Sequence, residues 1–534
     1  MVTRGLDAVR RTWAGTKLRH APSPSPVMTS AGPGRRQATA TLLIIGLTII
    51  GAALRFWHLG TWNFQATEIF TLRDSGGPQF GNPRPLGYLL NYFLVRPFLP
   101  LDEFGLRLLP AIFGVLAIPV FYIVCRRLLG TRAALFGALL LTLSPLHVSY
   151  SQLARYWSLV FLLSAVYPFA LYWGIRERNR GALALGFITG ILAVLAHPVS
   201  VLLVGGLGVW FLVMYLRRPG YIADLWGQKG VKQIAFVLVI ILGAIAVRFV
   251  PMLQGWISEH DRHPGSGQFL LGPRMALGLK QLVYLVAFVE SLTLVLVLSA
   301  AAGIYPLLKQ KQDRSLGVLL ASVALFPIVF ITLLSVRTPV SVYYLLPAVP
   351  AFFMGAGAFL DRLCDVDGKL RPHWLLPAIV VAGILASGGP TLISEHLNGR
   401  RYDFRGVAQW MDEQIAPGDV VFSDQPMVLA HYLPGIKVQP LRHNTRPITQ
   451  SLGTLRQSGT GEGVWIVAPA PAHAFRTNLK QGGLATWIYQ NCQLQNTVGV
   501  GRLDFREQYL QVYHCPAAGL TDRVENGSSQ LTGN

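Results

Sequence analysis

The chain has 534 residues, of which 52% are hydrophobic and 13% are charged, and its mean hydropathy is +0.44. This composition excludes an ordinary water-soluble globular protein and predicts a polytopic α-helical membrane protein. The net charge of +21 would favour nucleic acid as a partner of a soluble protein, but here the basic residues cluster at the ends of apolar runs. We therefore interpret them as topology signals and expect no nucleic-acid partner.

The first 38 residues form a basic segment that includes APSPSPVMTSAGPGRR and has too little apolar sequence to build a core. We predict a disordered tail over residues 1–38, and its positive charges place it in the cytoplasm. The run that follows, TLLIIGLTIIGAALRFW, is too long for the apolar part of a signal peptide and lacks a cleavage site. We expect this run to remain as a membrane anchor.

Apolar runs that can cross a hydrocarbon core of about 30 Å recur along the chain as far as residue 393. We predict about eleven transmembrane helices. They lie at 41–57, 105–125, 133–151, 156–175, 182–197, 199–216, 233–252, 276–307, 315–336, 340–361 and 374–392. With this count the basic clusters between spans fall on the cytoplasmic side. The segment RPLGYLLNYFLVRPF, 84–98, is then an interfacial or re-entrant helix, because a crossing there would turn every later cluster outward.

Residues 394–534 have a soluble composition. The stretch RRYDFRGVAQWMDEQIAPGDVVFSDQP is typical of an amphipathic helix, a Pro-Gly turn and a strand, and GVWIVAP and YLQVYHC indicate further strands. We predict a small C-terminal α/β domain on the extracytoplasmic side. No glycine-rich phosphate loop follows a strand, which disfavours a nucleotide-linked donor. Cys492 and Cys515 would pair if this domain lies outside the cytoplasm.

Ionisable side chains near a membrane are costly unless they are paired or hydrated, so they are functional candidates. Glu68 follows the first span, in TWNFQATEIFTLR, among aromatic residues. Partial desolvation there would suit a general base. The alternative is a solvated loop acid beside an aromatic belt.

Arg155 lies in SPLHVSYSQLARYWSLVF, where the third predicted span turns into the fourth. A guanidinium at the outer interface can bind a lipid phosphate through paired hydrogen bonds, or it can cap a span by snorkelling. Gln152 and Tyr156 lie beside it and could bind phosphate or sugar hydroxyls. Interfacial tyrosines also occur without such a role.

Four further residues carry ionisable groups near the predicted outer surface. Glu103 and Arg107, in LDEFGLRLLPAIFG, have the i, i+4 spacing that predicts an ion pair along one helix face, which we interpret as structural. Arg84 stands between two prolines in NPRPLGYLL, a rigid extended start to the interfacial helix. His197 interrupts an apolar run in LAHPVS and either assists a phosphate or a proton transfer or is a core histidine.

The strongest set of motifs runs from 84 to 163: RPLGYLLNYFLV, then DEFGLRLLPAIFG, a basic span end, and SPLHVSYSQLARYWSLVFLL. This order resembles the lipid-linked glycosyltransferases of the GT-C fold, in particular the bacterial family 39 relatives of the protein O-mannosyltransferases, the aminoarabinose transferases of lipid A and the Rgt-type galacturonosyltransferases. The resemblance covers most of residues 41–360, and the domain after 400 also looks like the outer domain of many members. It implies a GT-C transmembrane domain over 39–393, with a catalytic first outer loop at 58–104, and an extracytoplasmic domain over 394–534.

The resemblance implies inverting transfer of a sugar from a polyprenyl-phosphate donor to a hydroxyl of an acceptor glycan, lipid or protein. The reaction would take place at the outer face of the bacterial inner membrane. In the family, an Asp-Glu pair in the first outer loop supplies the acid that takes the acceptor's proton. Here the pair is Thr67-Glu68, so Glu68 is the catalytic candidate although the usual aspartate is missing.

The donor phosphate, by the same resemblance, would be bound by Arg155, Arg84 and Tyr156, of which Arg155 stands in the sequence Gln-Leu-Ala-Arg where the family usually has Gln-Glu-Ala-Arg. The usual Arg-Tyr near the late span is Tyr343-Tyr344 here, and Arg337 is a nearby substitute. We expect no required cofactor. The acids and histidines of SEHDRHPGSG lack a fixed spacing, so a divalent metal stays unassigned.

Two other functions stay open. A transporter for a lipid-linked glycan would also have many spans and interfacial arginines, although internal repeats are not visible and a terminal domain is unnecessary for transport. A non-catalytic relative that binds polyprenyl phosphate is compatible with Thr67 in place of the family aspartate.

Overall fold

The computed structural model describes residues 33–82, 84–217, 277–334, 342–365, 374–399, 402–441, 445–459, 461–469, 484–500 and 508–517. Residues 1–43 and 44–534 form two units; the described part of the first is the start of one helix, and all contacts below lie within the second. The tail up to residue 32, the predicted span at 233–252, the segment SEHDRHPGSG and Arg337 lie outside the described residues.

The described residues up to 399 are almost entirely helical. The helices are α1 (Pro33–Phe56), α2 (Ala66–Ser75), α3 (Pro85–Leu90), α4 (Glu103–Leu129), α5 (Thr131–Thr142), α6 (Pro145–Ser151), α7 (Trp157–Ser164), α8 (Tyr167–Glu177), α9 (Arg180–Ala196), α10 (Val201–Arg217), α11 (Leu277–Leu292), α12 (Leu294–Lys309), α13 (Arg314–Leu334), α14 (Val349–Cys364) and α15 (Leu375–Asn398). A π-helical segment, Asn91–Val95, follows α3, and 3₁₀ segments, Pro198–Ser200 and Val342–Ala348, precede α10 and α14. Since α1 begins at Pro33, the helix starts before the predicted end of the tail at residue 38.

Seven helical stretches in the described part of the chain are long and apolar enough to cross a membrane, or up to nine if each bent pair counts as one span. The bent pairs are α5 with α6, at 60°, and the end of α11 with α12, at 88°. At the first bend Ser144 caps α6 by accepting a hydrogen bond from His147 N at 3.4 Å, and Pro145 supplies the first helical residue, which needs no N–H donor. The prediction of a polytopic α-helical membrane protein is confirmed.

The segment predicted to be interfacial is too short to cross a bilayer. It consists of the six-residue helix α3 and the five-residue π-helical segment, far below the roughly 20 residues that a span requires. A Cβ built on Gly87 would lie 2.1 Å from Cδ1 of Tyr156, so only glycine allows α3 to approach that ring. This contact fixes the start of α3, and with it Arg84, beside the turn that carries Arg155.

The last part of the chain folds around a five-stranded sheet. Its elements are α16 (Phe404–Asp412), β1 (Val420–Ser423), α17 (Pro426–Tyr432), β2 (Val438–Pro440), α18 (Arg446–Ser458), β3 (Gly463–Pro469), α19 (Leu484–Asn491), β4 (Gln493–Val500) and β5 (Gln508–Pro516). The strand order is β2-β1-β3-β5-β4; β1 is parallel to β2 and β3, and β5 is antiparallel to β3 and β4. The predicted α/β domain is confirmed, but α15 continues to Asn398, so the domain begins after the predicted boundary at 394.

A disulfide joins Cys492, directly before β4, to Cys515 in β5, a pairing that the sequence left open. It ties the edge strand β4 to the strand that pairs with the all-buried β3. Cys125 and Cys364 are free, and Cys125 is buried.

The C-terminal domain carries one acid whose burial predicts a pH-dependent stability. Asp424 follows β1; the residue is partly exposed, but its Oδ1 is buried without a hydrogen-bond partner among the described residues. Burial raises the pKa of Asp424 to about 7. Because the folded-state pKa lies above that of an unfolded aspartate, about 3.9, its stabilising contribution is present below that lower value and is lost as the pH rises through about 7.

We predict that Asp424→Asn, which imitates the protonated acid, flattens this dependence. The melting temperature of the wild type should fall relative to that of the variant between about pH 6 and pH 8, the interval that brackets the raised pKa of Asp424. Thermal unfolding of both purified proteins across this range measures the difference. A constant difference at every pH would contradict the prediction.

Candidate active site

The loop after α1 is built on a buried ion pair between Glu68 and Arg107. Glu68 lies in the first turn of α2 and Arg107 one turn into α4, and neither side chain has any exposed surface. Arg107 Nε donates to Glu68 Oε1 at 2.9 Å and Nη2 donates to Oε2 at 3.1 Å, the paired geometry that suits a planar guanidinium and a carboxylate. The pair fixes α2 against the start of α4.

Arg107 also gathers the loop between α1 and α2. Its Nη1 donates to the carbonyl oxygens of Leu59 at 3.0 Å and Trp62 at 2.6 Å, and Nη2 donates to that of Asn63 at 3.0 Å. Backbone groups of an irregular loop need partners when they are buried, and Arg107 provides donors for three of them. The loop conformation thus depends on one side chain of α4.

Glu68 holds a second element, the turn between α6 and α7. Ala154 N donates to Oε1 at 2.6 Å, and Gln65 N, at the N-cap of α2, donates to Oε2 at 2.8 Å. The second bond is the reach-back half of a capping box. Glu68 therefore connects α2, α4 and the turn whose next residue is Arg155.

This geometry contradicts the prediction that Glu68 is an open general base. Four N–H groups, two of them from a guanidinium, donate to its oxygens, and the side chain is fully buried. To take a proton from a substrate, the carboxylate would have to release several of these bonds, and it would leave the Arg107 charge buried without its partner. In this structure Glu68 positions other groups.

The predicted ion pair between Glu103 and Arg107 is wrong. Arg107 is occupied by Glu68, while Glu103, one turn earlier, accepts hydrogen bonds from Arg405 Nη2 and, at 2.5 Å, from Tyr432 Oη in the C-terminal domain. The i, i+4 spacing makes two side chains neighbours, but bonds worth a few tenths of a kcal/mol on an exposed helix yield to buried long-range partners. Glu103 instead attaches the C-terminal domain to the first turn of α4.

Arg155 reaches back to α2 from the turn that Glu68 holds. Its Nη1 donates to Thr67 O and to Thr71 Oγ1, both at 3.2 Å, and the guanidinium lies 5.3 Å from the ring centre of Tyr156. Arg155 forms no ion pair with any acid in the described ranges. A half-buried cation without a carboxylate partner can accept an anionic ligand.

A cavity of about 340 Å³ opens beside Arg155. Its lining residues are His58, Leu59, Trp62, Gln65, Thr67, Ser149, Tyr150, Gln152, Leu153, Arg155, Trp157, Val342, Tyr343 and Glu395. Aromatic walls with a few hydroxyl, amide and charged groups are typical of a site for a sugar-sized ligand. Thr67 lines this cavity at the position where the related family has an aspartate.

A second, much smaller space of about 20 Å³ also borders Arg155 and is mostly apolar, with lining from α3, α4 and α7. Leu90, Phe113 and Leu159 are among its walls. Arg155 therefore lines both spaces.

Arg84 joins Arg155 at a cluster of phenol groups. Tyr88 Oη and Tyr156 Oη are 3.1 Å apart, and the charges of both arginines act on Tyr88 and on Tyr344. Arg84 likewise forms no ion pair with an acid in the part of the chain that the structure describes. Two predicted phosphate-binding residues, with Tyr156, are thus brought together without a compensating negative charge.

His197 and Gln152 both form contacts within the protein that the sequence did not predict. His197 Nδ1 accepts a hydrogen bond from Val199 N at 3.1 Å, and the ring packs 4.5 Å from that of Trp157. Its Nε2 is buried and has no hydrogen-bond partner among the described residues. Gln152 Nε2 donates to the carbonyl oxygens of Leu54, at 3.1 Å, and Trp57, at 2.9 Å, at the end of α1.

Sequence reasoning missed Glu395 and His58, which line the same cavity as Arg155. Glu395 was hidden in the predicted boundary between the last span and the soluble domain, where an acid is unremarkable in sequence. Its placement three residues before the end of α15 and its burial are tertiary facts. Within the described ranges no group of three or more His, Cys, Asp or Glu side chains has the geometry to hold a metal ion.

Residues 88–245 match the family model described as dolichyl-phosphate-mannose-protein mannosyltransferase. No curated protein matches the sequence. Among solved structures, ArnT from Cupriavidus metallidurans in the apo state is similar, with 16% identity, a TM-score of 0.51 and coverage of 90% of this chain and 98% of that one. The oligosaccharyltransferase AglB from Archaeoglobus fulgidus, in complex with an inhibitory peptide and a dolichol-phosphate, has 13% identity and a TM-score of 0.50, over 81% and 70% of the two chains.

The chain has the GT-C fold. At these identities the likeness establishes the fold rather than the reaction, and the fold predicted from the 84–163 motifs is confirmed. The matched family segment includes α4, the turn of Arg155 and His197, but begins after Glu68. The cavity beside Arg155 lies between the first loop, the turn after α6 and the end of α15.

We predict that Glu68→Gln destabilises the GT-C domain, because it leaves Arg107 with a buried, unpaired charge. The free energy of unfolding should fall by about 3–5 kcal/mol, as measured by thermal or denaturant unfolding in detergent. The matched control is Glu177→Gln, which breaks the exposed pair of Glu177 with Arg127 and should cost less than about 1 kcal/mol.

A double variant tests whether the ion pair of Glu68 with Arg107, here called the clamp, accounts for the loss of stability. Glu68→Gln combined with Arg107→Met should lose clearly less stability than the sum of the single variants, since neither charge is then left alone. Additive losses, or an unfolding free energy of Glu68→Gln equal to that of the wild type, would contradict the clamp.

Proposed function

We propose that the protein is a polyprenyl-phosphate-dependent glycosyltransferase, which transfers a hexose or pentose to an acceptor hydroxyl with inversion. The observation that carries the proposal is the cavity of about 340 Å³ that Arg155 lines, because neither Arg155 nor the nearby Arg84 has a carboxylate partner among the described residues. A lipid phosphate needs such a cation at headgroup depth, and its prenyl chain needs an apolar path. The GT-C fold and the family match over 88–245 support the same reaction class.

The chemistry follows from the charge arrangement. The acceptor oxygen forms a bond to the anomeric carbon while the bond from that carbon to the phosphate oxygen breaks, and the electron pair leaves with the lipid phosphate. Arg155 and Arg84 offset the negative charge that grows on this leaving group. They therefore stabilise the transition state more than the bound donor, which lowers the barrier. Tyr156 orients the phosphate or the Arg155 guanidinium, which lies over its ring.

Glu68 has a positioning role in this mechanism. It fixes the backbone of Ala154 and therefore the start of the Arg155 side chain. The proton of the acceptor hydroxyl needs another acceptor, because the oxygens of Glu68 are occupied by four donors.

The partners of the proposed reaction are a polyprenyl-phosphate sugar in the bilayer and an acceptor glycan, lipid or protein. We propose the bacterial inner membrane as the location, with the N-terminus in the cytoplasm and the C-terminal domain outside it. The disulfide between Cys492 and Cys515 supports this orientation, because disulfides persist in oxidising compartments. No cofactor enters the proposed mechanism.

The second candidate is a non-catalytic protein that binds polyprenyl phosphate. Two observations favour it: Thr67 lines the cavity in place of an acid, and Glu68 is buried and paired with Arg107. Both leave the first loop without the expected base. The two candidates share the phosphate site and differ in turnover, which makes them separable by experiment.

We predict that Arg155→Ala weakens the binding of undecaprenyl phosphate by about 10- to 100-fold, the loss of a charge-assisted hydrogen bond. Arg155→Lys should recover only part, because lysine retains the charge without the paired donors. Titration of purified protein with the labelled lipid measures both.

The control is Arg126→Ala, which removes the same charge from an exposed site at the other end of α4. Equal affinities of the wild type and Arg155→Ala for undecaprenyl phosphate would contradict the proposed phosphate site. Retained binding without release of sugar from any undecaprenyl-phosphate hexose or pentose, in the presence of native membrane extract, would select the non-catalytic candidate.

The orientation is tested by thiol labelling of the denatured protein. We predict that Cys492 and Cys515 react with maleimide only after reduction, whereas Cys364, a free and partly exposed thiol, reacts in both conditions. Full labelling of all four cysteines without reductant would argue against an oxidising compartment for the C-terminal domain.

A further inference from the structure

We propose that Glu395, at the end of α15, is the general base of the transferase. This inference rests on the proposed function and supplies the proton acceptor that Thr67 and Glu68 do not provide. Glu395 is 6% exposed and lines the cavity that Arg155, Thr67 and Gln152 also line. It is the one carboxylate among the described lining residues of that cavity.

The end of α15 is held against the end of α1 by a hydrogen bond of His396, and Gly399 closes the helix. His396 Nε2 lies 2.9 Å from Leu54 O, the carbonyl at the end of α1 to which Gln152 also donates. Gly399 closes the helix in the left-handed region, at φ +69°, and its N–H donates to Glu395 O at 3.2 Å. These bonds fix the backbone of Glu395 relative to α1 and to the turn of Arg155.

Gly399 also determines how closely the helix end approaches the cavity. A Cβ built on this glycine would lie 2.7 Å from Cδ2 of Trp62, which itself lines the cavity. Both the backbone angle and this approach require glycine. Glu395 is therefore brought to the wall of the cavity that Thr67 also lines by the packing of α15, rather than by the first-loop motif.

His58 is the other side chain lining this cavity that commonly acts as a base. It is exposed at the mouth, with a left-handed backbone at φ +52°. A proton taken by a neutral histidine creates a second cation in a cavity that already contains Arg155, whereas a proton taken by a carboxylate removes a negative charge. The charge balance of the cavity favours Glu395.

The proposed step is balanced. The proton of the acceptor hydroxyl moves to a carboxylate oxygen of Glu395, the acceptor oxygen bonds to the anomeric carbon, and the phosphate oxygen leaves with the bonding pair. The protonated Glu395 then returns its proton to solvent through the open cavity. The lipid phosphate remains beside Arg155 until it is exchanged.

The test compares sugar release by the wild type, Glu395→Gln, Glu395→Asp and Glu395→Ala. The probes are undecaprenyl phosphates that carry radiolabelled hexoses or pentoses, with native membrane extract as the source of acceptor. Loss of a general base should lower kcat by about 10²-fold or more in Glu395→Gln. The affinity for undecaprenyl phosphate should stay within about threefold of the wild type, because the phosphate is bound elsewhere.

Two further readouts distinguish a base from a structural acid. Formate should restore part of the kcat of Glu395→Ala by supplying a carboxylate in the vacated space, and Glu395→Asp should retain more activity than Glu395→Gln. The matched control is Glu413→Gln, which removes an exposed charge of the C-terminal domain and should leave kcat unchanged.

The outcomes separate this inference from the proposed function. Turnover by the wild type together with a Glu395→Gln kcat within about threefold of it would overturn the base assignment and leave the transferase intact, and so would a loss confined to His58→Gln. Binding of undecaprenyl phosphate without turnover of any donor would overturn both the transferase and its base. Absence of lipid binding by the wild type would overturn the proposed phosphate site as well.

Discussion

The ion pair between Glu68 and Arg107 is the interaction on which the rest of the site depends. Both groups are without exposed surface, so each charge is tolerable only in the presence of the other. Through Arg107 the pair binds the loop that follows α1, and through Glu68 it binds the cap of α2 and the backbone of Ala154. Removal of either charge would release the elements that carry Thr67 and Arg155 together, which makes the pair a device of pre-organisation rather than of proton transfer.

Around this ion pair, the acids and the arginines differ in whether their charges are paired. Acids that hold structure are saturated: Glu68 by Arg107, and Glu103 by Arg405 and Tyr432. Arg155 at the cavity and the nearby Arg84 form no ion pair with an acid in the described part of the chain, as the proposed site for an anionic leaving group requires. The C-terminal domain belongs to this arrangement, because its contact with Glu103 reaches the first turn of the same helix that carries Arg107.

Thr67 stands where the glycosyltransferases that this sequence resembles have an aspartate, and this fits the division of charges. The structure retains the cavity, the turn of Arg155 and the pair of Glu68 with Arg107, and a carboxylate lines the cavity from the end of α15. A scaffold defined by packed helices can receive a functional group from any element that borders the cavity. A carboxylate can therefore line the cavity of this chain without occupying the motif position of Thr67.

The sequence by itself determined the membrane class, the C-terminal α/β domain and the GT-C fold, because apolar length, composition and local motif order are properties of contiguous residues. It also identified Arg84, Arg155 and Tyr156 as residues of one region. Only the tertiary structure decided which charges are paired. Glu103 and Arg107 are ideal partners by spacing, yet Arg107 pairs with a buried acid 39 positions away and Glu103 with a half-buried arginine 302 positions away. The surroundings of Glu68 and Glu395 could not be predicted for the same reason, because the burial of a carboxylate is decided only when distant helices pack.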